Sequence, residues 1–470
     1  HVTSPFLTKE AVERGLEAVK SGEYDSAFAA KKLQTFLWQN NIPLNYELDN
    51  IPITQDLPEI LEETSGFYIF TRNVITDMNR RIGNTPFIVE TGEIESIDID
   101  EPEDFMIADA VFNYNSLRNS RGGEVSKSYC ISSYLALRYI EDDSMNFYPD
   151  LHHRNIKPLT DEQRIPVRTA KDIDREIRAQ VDKFKDMKKG VMLSGGMDSA
   201  IVASYLPGSD AYTFRFLGGN YQSEELVRAE YYAEVYGLRL HYVDISWETV
   251  MKYLEPVMVA KCAPVHSIEP QIYQAALQAR TDGVEIMFSG ATSDLVFGGM
   301  DKLLSQDWTF DAFMNRYTFT KPEDVLREPE SMCYVFERYR IGDDKIDFTK
   351  FLSEISMSEL LTSYVTTFGV AEMNYYDPYA KLKMSEPLDL SRVRKGDSKY
   401  LIRELFRMRY PDTIIPEKIP MPRPVDAYFE DWCGPSRKEF IAGLEMSKFT
   451  GNQKWQMYCL EKFLDLHEPR

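Results

Sequence analysis

One stretch decides the fold of this chain: Val191-Met192-Leu193-Ser194-Gly195-Gly196-Met197-Asp198-Ser199-Ala200, in which an apolar strand enters a Ser/Gly turn and then a helix. Gly195 and Gly196 let the backbone approach an anion without obstruction by a side chain. Ser194 and Ser199 add hydroxyl donors beside the unpaired N–H groups and the positive dipole end of the helix. The turn therefore predicts a phosphate-binding loop.

Asp198 does not suit a site for an anion alone. A carboxylate beside a polyphosphate is repelled unless a hard cation lies between them, so Asp198 predicts Mg²⁺ bridging the protein and a pyrophosphate group. The spacing matches neither the P-loop nor the GxGxxG turn, because no lysine follows the glycines. An ordinary glycine-rich turn is the alternative interpretation.

Composition limits the classes of function. The 470 residues, 43% of them hydrophobic, are enough for two or three buried cores, so we expect more than one domain. A net charge of −21 disfavours a nucleic-acid partner, because such partners require basic surfaces. The five cysteines include no CxxC pair, so neither a zinc site nor a disulfide framework is predicted.

The sequence also predicts the cellular location of the protein. No apolar run approaches the about 20 residues that a membrane span needs, so no membrane partner is expected. The first residues lack the charged and apolar regions of a signal peptide, and we expect a cytoplasmic protein. The sequence does not determine the oligomeric state.

Residues 1–165 are expected to form a small N-terminal α+β domain without a recognisable glutaminase. Helical periodicity covers residues 11–19 and 27–37. Short strands are predicted at 66–70 and 86–90. The polar stretch 150–168 resembles a linker, and we place the domain boundary between residues 165 and 166.

Residues 166–470 show a different pattern, with helices and strands in alternation from residue 170. This pattern predicts an α/β domain built on a parallel sheet with helices on both faces. The predicted strands are 191–193, 211–216, 240–245 and 284–288, and the predicted helices include 172–185 and 224–236.

A second loop follows the fourth predicted strand and reads Ser289-Gly290-Ala291-Thr292-Ser293-Asp294. Ligands of open α/β sheets bind at the carboxyl ends of the strands, where the first loop also lies. Asp294 is therefore a second candidate ligand of Mg²⁺. Ser289 and Gly290 are candidates for binding the α-phosphate or the ribose of ATP.

The first loop resembles the SGGxDS loop of ATP pyrophosphatases, which cleave ATP between its α and β phosphates. Over residues 170–435 the chain is similar to the synthetase domain of the asparagine synthetase and β-lactam synthetase family. Further segments stand in the family's order: 223–225, 266–270, 376–377, 399–403 and 414–422. The resemblance implies an adenine-nucleotide α-hydrolase-like parallel sheet with a helical C-terminal extension.

The chemistry that the resemblance implies uses ATP and Mg²⁺: a carboxylate is adenylated, pyrophosphate leaves, and a nitrogen nucleophile forms an amide. Lys418, between Pro416 and Pro420, matches the family's catalytic lysine. Of Lys399 and Arg403, one helical turn apart, we expect one to be structural. The predicted nucleotide-binding residues are Leu193, Ser194, Gly195, Gly196, Asp198, Ser199, Phe214, Ser289 and Gly290, and the predicted metal ligands are Asp198 and Asp294.

The chain departs from the family at two points. Ala291 replaces the family's usual glutamate and cannot act as a base. Five acidic residues are candidates to replace it, and the sequence does not choose among Glu323, Glu328, Glu330, Asp343 and Asp344. No cysteine precedes Cys130, whereas glutamine-dependent relatives begin with a nucleophilic cysteine. We therefore expect the nitrogen donor to be free ammonia or, in preference, an amine on the substrate or on a second substrate, rather than ammonia released from glutamine.

The sequence thus predicts an ATP-dependent amide ligase that joins a small-molecule or peptide carboxylate to an amine, in small-molecule biosynthesis or peptide modification. An ammonia-dependent asparagine synthetase-like amidotransferase is one alternative. Another is an RNA-modifying thiolase of the pyrophosphatase superfamily, which the acidity and the absence of CxxC disfavour. The alternative without catalysis is a nucleotide-binding regulator. The sequence leaves open which acid and amine react and whether they belong to one molecule.

Overall fold

A computed structural model describes residues 3–54, 57–101, 104–105, 108, 124–219, 223–416 and 424–468. The chain divides into two compact units, His1–Asn119 and Ser120–Arg470. This division differs from the predicted boundary at 165/166, because residues 124–165 pack within the second unit. The helix Lys127–Leu137 is buried from Tyr129 onwards, and the strand Ile165–Val167 pairs with Leu382–Met384.

The first unit is an α+β unit with a three-stranded sheet. Its described elements are α1 (Lys9–Lys20), β1 (Ser26–Leu33), β2 (Trp38–Gln39), β3 (Ile42–Pro43), β4 (Ile60–Phe70), α2 (Arg72–Thr76) and β5 (Pro86–Thr91). Strand β1 lies between β4, which is antiparallel to it, and the parallel β5. The predicted helix 11–19 and the predicted strands 66–70 and 86–90 are confirmed.

The helix predicted over residues 27–37 is wrong, because this stretch contains the central strand β1. Its first five residues, Ser26–Ala30, are all buried, so the apolar run carries no periodicity that separates a strand from a helix. Backbone pairing on both sides, with β4 and β5, decides the outcome.

The second unit holds the remaining described elements. Its strands are β6 (Glu124–Val125), β7 (Met145–Asn146), β8 (Ile165–Val167), β9 (Lys189–Met192), β10 (Asp210–Phe216), β11 (Arg239–Ile245), β12 (Ile286–Phe288), β13 (Arg340–Ile341), β14 (Lys345–Ile346), β15 (Asn374–Tyr376) and β16 (Leu382–Met384). Its helices up to residue 304 are α3 (Lys127–Leu137), α4 (Ala170–Asp182), α5 (Met197–Ala203), α6 (Ser223–Tyr236), α7 (Trp247–Lys261), α8 (Glu269–Thr281), α9 (Ser293–Phe297) and α10 (Asp301–Leu304).

Helices dominate the rest of this unit. The α-helices are α11 (Phe310–Tyr317), α12 (Pro322–Val325), α13 (Cys333–Glu337), α14 (Phe348–Phe351), α15 (Met357–Val370), α16 (Leu390–Arg394), α17 (Tyr400–Arg409), α18 (Val425–Tyr428) and α19 (Gly451–His467). A π-helical turn covers Leu352–Ser356, and 3₁₀ turns cover Pro378–Lys381 and Met446–Lys448. Within the described ranges, no helix combines the length and the apolar character needed to cross a membrane.

The centre of the second unit is a parallel sheet of five described strands in the order β11-β10-β9-β12-β15. This arrangement confirms the predicted α/β fold class, and the four predicted strands are β9 to β12. The fifth, β15, was not predicted as a strand. It has three residues, too few to show a pattern.

Apolar side chains cover both faces of this sheet. In β10, Tyr212 and Phe214 belong to one hydrophobic cluster together with α8, whereas Ala211 belongs to a second cluster together with α5. Neighbouring residues of a strand point to opposite faces, so the two clusters lie on opposite sides of the sheet. Helices therefore pack on both faces, as is usual for a parallel sheet.

Candidate active site

The two predicted loops are neighbours in the sheet. Strand β9 pairs with β12, so the loop after each strand leaves the same carboxyl edge. Residues of both loops line one cavity of about 360 Å³, which we call the nucleotide cavity. It lies where open α/β sheets bind their ligands.

The first loop is held by its own serines. The Ser194 amide donates to Ser199 Oγ at 3.0 Å, and the Gly196 amide donates to Ser194 Oγ at 3.1 Å. A Cβ atom on Gly195 would lie 2.6 Å from the backbone of Glu225, so packing against α6 requires glycine there. On Gly196 a Cβ atom would meet, among the described residues, only Ser194 Oγ within 4 Å. Gly196 is therefore the glycine that leaves room for a ligand.

The second loop packs directly on the first. A Cβ atom on Gly290 would lie 2.9 Å from the carbonyl oxygen of Asp198, so this position also requires glycine. Ser289 Oγ shares a 2.7 Å hydrogen bond with Tyr375 Oη, and the Ala291 amide donates to Ser289 Oγ at 3.3 Å. The loop is thereby fixed to strand β15.

Two carboxylates and one lysine form the polar centre of the cavity. Lys399 Nζ lies 2.5 Å from Asp198 Oδ2 and 2.7 Å from Asp294 Oδ1. Ser293 Oγ also donates to Asp198 Oδ1, at 2.6 Å. The two aspartate side chains are 26% and 29% exposed, whereas that of Lys399 is 6% exposed. All three residues line the cavity, and the ammonium is the most deeply buried of the three charged groups.

The charge of Lys399 is maintained by its partners. Burial opposes the charge, but the Asp198 and Asp294 carboxylates outweigh that effect and raise the pKa of Lys399. Its backbone is left-handed, with φ at +54°, and it immediately precedes α17. Arg403 Nε donates to the Ser398 carbonyl at 2.8 Å and so holds the turn that carries Lys399.

A third carboxylate, Asp377, lies behind the second loop. Its oxygens accept from the Thr292 amide at 2.8 Å and the Tyr379 amide at 3.0 Å. The residue is 5% exposed, and burial raises its pKa to about 7 despite these hydrogen bonds. Asp377 therefore positions the second loop from the protein interior.

The arrangement fits a magnesium ion. The part of the chain that the structure describes contains no group of three or more His, Cys, Asp or Glu side chains suited to a metal. Mg²⁺, however, is usually held by one or two carboxylates together with water and substrate phosphates. Asp198 and Asp294 both line the cavity and lie close enough to share the Lys399 ammonium, so the pair supplies the two carboxylates that such a site uses.

The structure places ten predicted residues around one cavity. They are Leu193, Ser194, Gly195, Gly196, Asp198, Ser199, Phe214, Ser289, Gly290 and Asp294. The predicted catalytic residue Lys418 lies outside the described residues. Two further described carboxylates line the cavity and were not predicted as site residues: Glu225 and Asp301.

The candidates for a replacement base lie elsewhere. The described lining of the nucleotide cavity includes none of Glu323, Glu328, Glu330, Asp343 and Asp344. Glu330 instead accepts hydrogen bonds from Ser126 and Ser128. The contact of Lys399 with both aspartates was not predicted from the sequence. The available indication was that residues 399–403 match a segment of the family.

Comparison with known proteins relates part of the chain to a known family. The family model described as asparagine synthase matches residues 172–376. This region is a synthetase domain of the asparagine synthetase family. The match supports an ATP-dependent carbon–nitrogen ligase in general and includes both loops and strand β15.

One curated protein, of Methanocaldococcus jannaschii, bears the name "Putative asparagine synthetase (glutamine-hydrolyzing) 1" and is 32% identical over 117 residues. The aligned part covers 24% of this chain and 21% of that protein. The chain therefore matches about a fifth of this relative's length.

Two solved structures give weaker likenesses. The U34-tRNA thiolase NcsA from Methanococcus maripaludis is 12% identical, with a TM-score of 0.23, over 63% of this chain and 80% of that chain. The NMN synthetase from Francisella tularensis is 10% identical, with a TM-score of 0.22, over 53% of this chain and 99% of that chain. At these scores neither likeness indicates a function.

Proposed function

We propose that this protein is an ATP-dependent amide ligase that adenylates a carboxylate, releases pyrophosphate and joins the acyl group to an amine. One observation supports the proposal above all: the two loops, the aspartate pair and the buried Lys399 meet in a single cavity at the carboxyl edge of the sheet. The acid and the amine are small molecules or peptides.

In this proposal the first loop binds the polyphosphate. The Gly196 position is open to the cavity, and the hydroxyls of Ser194 and Ser199 lie beside it. Ser289 and Gly290 bind the α-phosphate from the second loop. Phe214, at the carboxyl end of β10, lines the same cavity and contacts the nucleoside.

The aspartate pair carries one negative charge more than Lys399 neutralises. When bound, Mg²⁺ would be held by Asp198 and Asp294 and would offset the charge that develops on the departing pyrophosphate. Lys399 keeps the two carboxylates together, since without it they would repel each other. A fixed arrangement of charges lowers the cost of reorganisation during the reaction.

The attacking amine must lose a proton. Ala291 lines the cavity and supplies no ionisable group. The position at which the family usually carries a glutamate therefore has no base in this chain. Glu225 and Asp301 are the two further carboxylates in the described lining. An amine bound beside the acyl-adenylate reacts at high effective concentration, so that even a weak base suffices.

The test is carboxylate-dependent exchange of labelled pyrophosphate into ATP, measured over a panel of organic acids, amino acids and peptides. We expect exchange with some acids, only with Mg²⁺ present, and AMP rather than ADP as the nucleotide product. Release of ADP and phosphate with the same acids would overturn the proposal.

Two matched variants test the metal ligands. We expect Asp198→Asn and Asp294→Asn each to lower the exchange rate by about 10²-fold or more, as for the loss of one electrostatic group in an active site. Both variants should keep the wild-type circular dichroism spectrum, because each side chain faces the cavity. Wild-type exchange in both would remove the metal assignment.

A further inference from the structure

A second cavity, of about 750 Å³, adjoins the first. Asp294 lines both cavities, so a molecule in the second cavity lies next to the centre where the acyl-adenylate would form. The volume lies within the range of small-molecule binding sites. It far exceeds what ammonia requires.

The walls of this second cavity are amphiphilic. Apolar side chains come from the end of the second loop and from the π-helical turn, and they include Leu295, Val296, Leu352 and Ile355. Several charged groups on the wall are already paired: Arg338 with Glu141 at 2.7 Å, and Glu354 with the Tyr339 hydroxyl at 2.7 Å. An occupant therefore needs an apolar part as well as polar ends.

Arg164 differs from these paired groups. Its Nε is buried and makes no hydrogen bond with the described residues, although the residue lines the cavity. The nearby carboxylates of Asp161 and Glu354 act on it only through their charge. A buried N–H without a partner is costly, so an oxygen acceptor from an occupant would be favourable here.

The π-helical turn Leu352–Ser356 is a second sign of a built site. It interrupts the helical segment between Phe348–Phe351 and Met357–Val370, and four of its residues line the cavity. Short π-helical insertions are rare and are frequent at functional sites. Here the insertion shapes the wall that faces the occupant.

We propose that the second cavity binds the amine substrate, and that this amine is an amino acid or a peptide with a free amino terminus and an apolar side chain. The inference rests on the proposed ligase function. The amino group lies at the Asp294 end of the cavity, Arg164 donates to a carboxylate or carbonyl oxygen of the same molecule, and the apolar wall holds its side chain.

The test measures binding rather than turnover. Leucine, leucyl-glycine, leucyl-glycinamide and N-acetyl-leucyl-glycine are titrated into the full-length protein with AMP at saturation, and binding is followed by saturation-transfer NMR and calorimetry. We expect the probes with a free amine to bind, and the acetylated probe to bind at least tenfold more weakly. If leucyl-glycinamide binds more weakly than leucyl-glycine, the partner of Arg164 is a carboxylate. If the two bind equally, the partner is a carbonyl oxygen.

Variants locate the binding. Arg164→Gln removes the unpaired donor, and Ser358→Trp fills the cavity at a half-buried position of its lining. Each should weaken binding of leucyl-glycine at least tenfold. Arg175→Gln makes the same chemical change on the exposed side of α4, where Arg175 pairs with Asp172 and Glu176, and should bind as the wild type does.

Three results would overturn the inference: no probe binds at millimolar concentration, the acetylated probe binds equally well, or both cavity variants bind as the wild type does. AMP titrations of the same variants separate this outcome from failure of the proposed function. Retained AMP binding and pyrophosphate exchange without probe binding would remove only the amine site. If the probes bind but neither AMP binding nor pyrophosphate exchange is found, the proposed ligase function is rejected instead.

Discussion

The two ends of the parallel sheet both carry ion pairs, but with different ratios of carboxylates to cations. At the amino end, Asp210 lies 2.9 Å from Arg239, 2.8 Å from His241 and 3.6 Å from Lys188, and a second carboxylate, Asp282, lies 3.7 Å from the other nitrogen of His241. At the carboxyl end, two carboxylates share Lys399. In the first cluster the cations Arg239 and Lys188 match the two carboxylates in number, whereas the second cluster has two carboxylates for one cation. An excess of carboxylates that faces a cavity therefore marks the candidate active site better than a buried ion pair does.

Two buried carboxylates make the contrast quantitative. Asp210 and Asp377 are 2% and 5% exposed. Burial raises the pKa of both, but Arg239 and His241 outweigh it at Asp210, whose pKa falls to about 2. Asp377 receives hydrogen bonds from uncharged backbone amides, and its pKa rises to about 7. Cations therefore stabilise the amino end, whereas the carboxyl end keeps a group that titrates near neutral pH.

The largest effect is expected from Lys399→Met. This change leaves Asp198 and Asp294 without their shared cation, so they repel each other and an incoming polyphosphate. We expect carboxylate-dependent pyrophosphate exchange to fall by about 10²- to 10³-fold. Exchange within threefold of wild type would show that the carboxylate pair functions without this lysine.

Asp210→Asn is the matched change at the other end of the sheet. We expect it to lower the free energy of unfolding by about 1–3 kcal/mol and to leave pyrophosphate exchange unchanged. The pKa of Asp210 is lower in the folded protein than in the unfolded chain, so its contribution is present above about pH 4. In denaturant titrations the difference from wild type should therefore shrink as the pH falls from 4 toward 2.

Asp377→Asn should act with the opposite dependence on pH. The folded protein holds this proton up to about pH 7, whereas the unfolded carboxyl loses it near pH 4. Wild-type stability therefore falls as the pH rises through this interval. Relative to the variant, we expect a loss of about 1 kcal/mol between pH 6 and pH 7, measured by urea unfolding. A constant difference would show that Asp377 does not titrate there.

Lys188→Ala should have the smallest effect. Its side chain is 45% exposed and its Nζ lies 3.6 Å from Asp210, so water screens the interaction. We expect a change of less than about 0.5 kcal/mol in the free energy of unfolding. A loss as large as that of Asp210→Asn would mean that Lys188 and Arg239 act on Asp210 as one unit.

The sequence by itself determined the α/β class of the second unit and the position of both loops. Each loop follows an apolar strand and carries its own glycine, serine and aspartate, so local pattern was enough. The same reasoning failed at residues 27–37, where an apolar run has the composition of a helix but forms the centre of a sheet. Pattern alone does not show whether neighbouring strands are present.

The residues that meet in the nucleotide cavity from distant parts of the chain become known only from the tertiary structure. Lys399 is 201 positions from Asp198, and no local pattern links a lysine before one helix to an aspartate after a strand. The role of Asp377 likewise depends on burial, which raises its pKa only once the second loop covers it. The second cavity arises because residues near 160, 295, 353 and 386 meet. Distances, burial and cavity walls come from packing between elements far apart in the chain, so they appear only when the chain is folded.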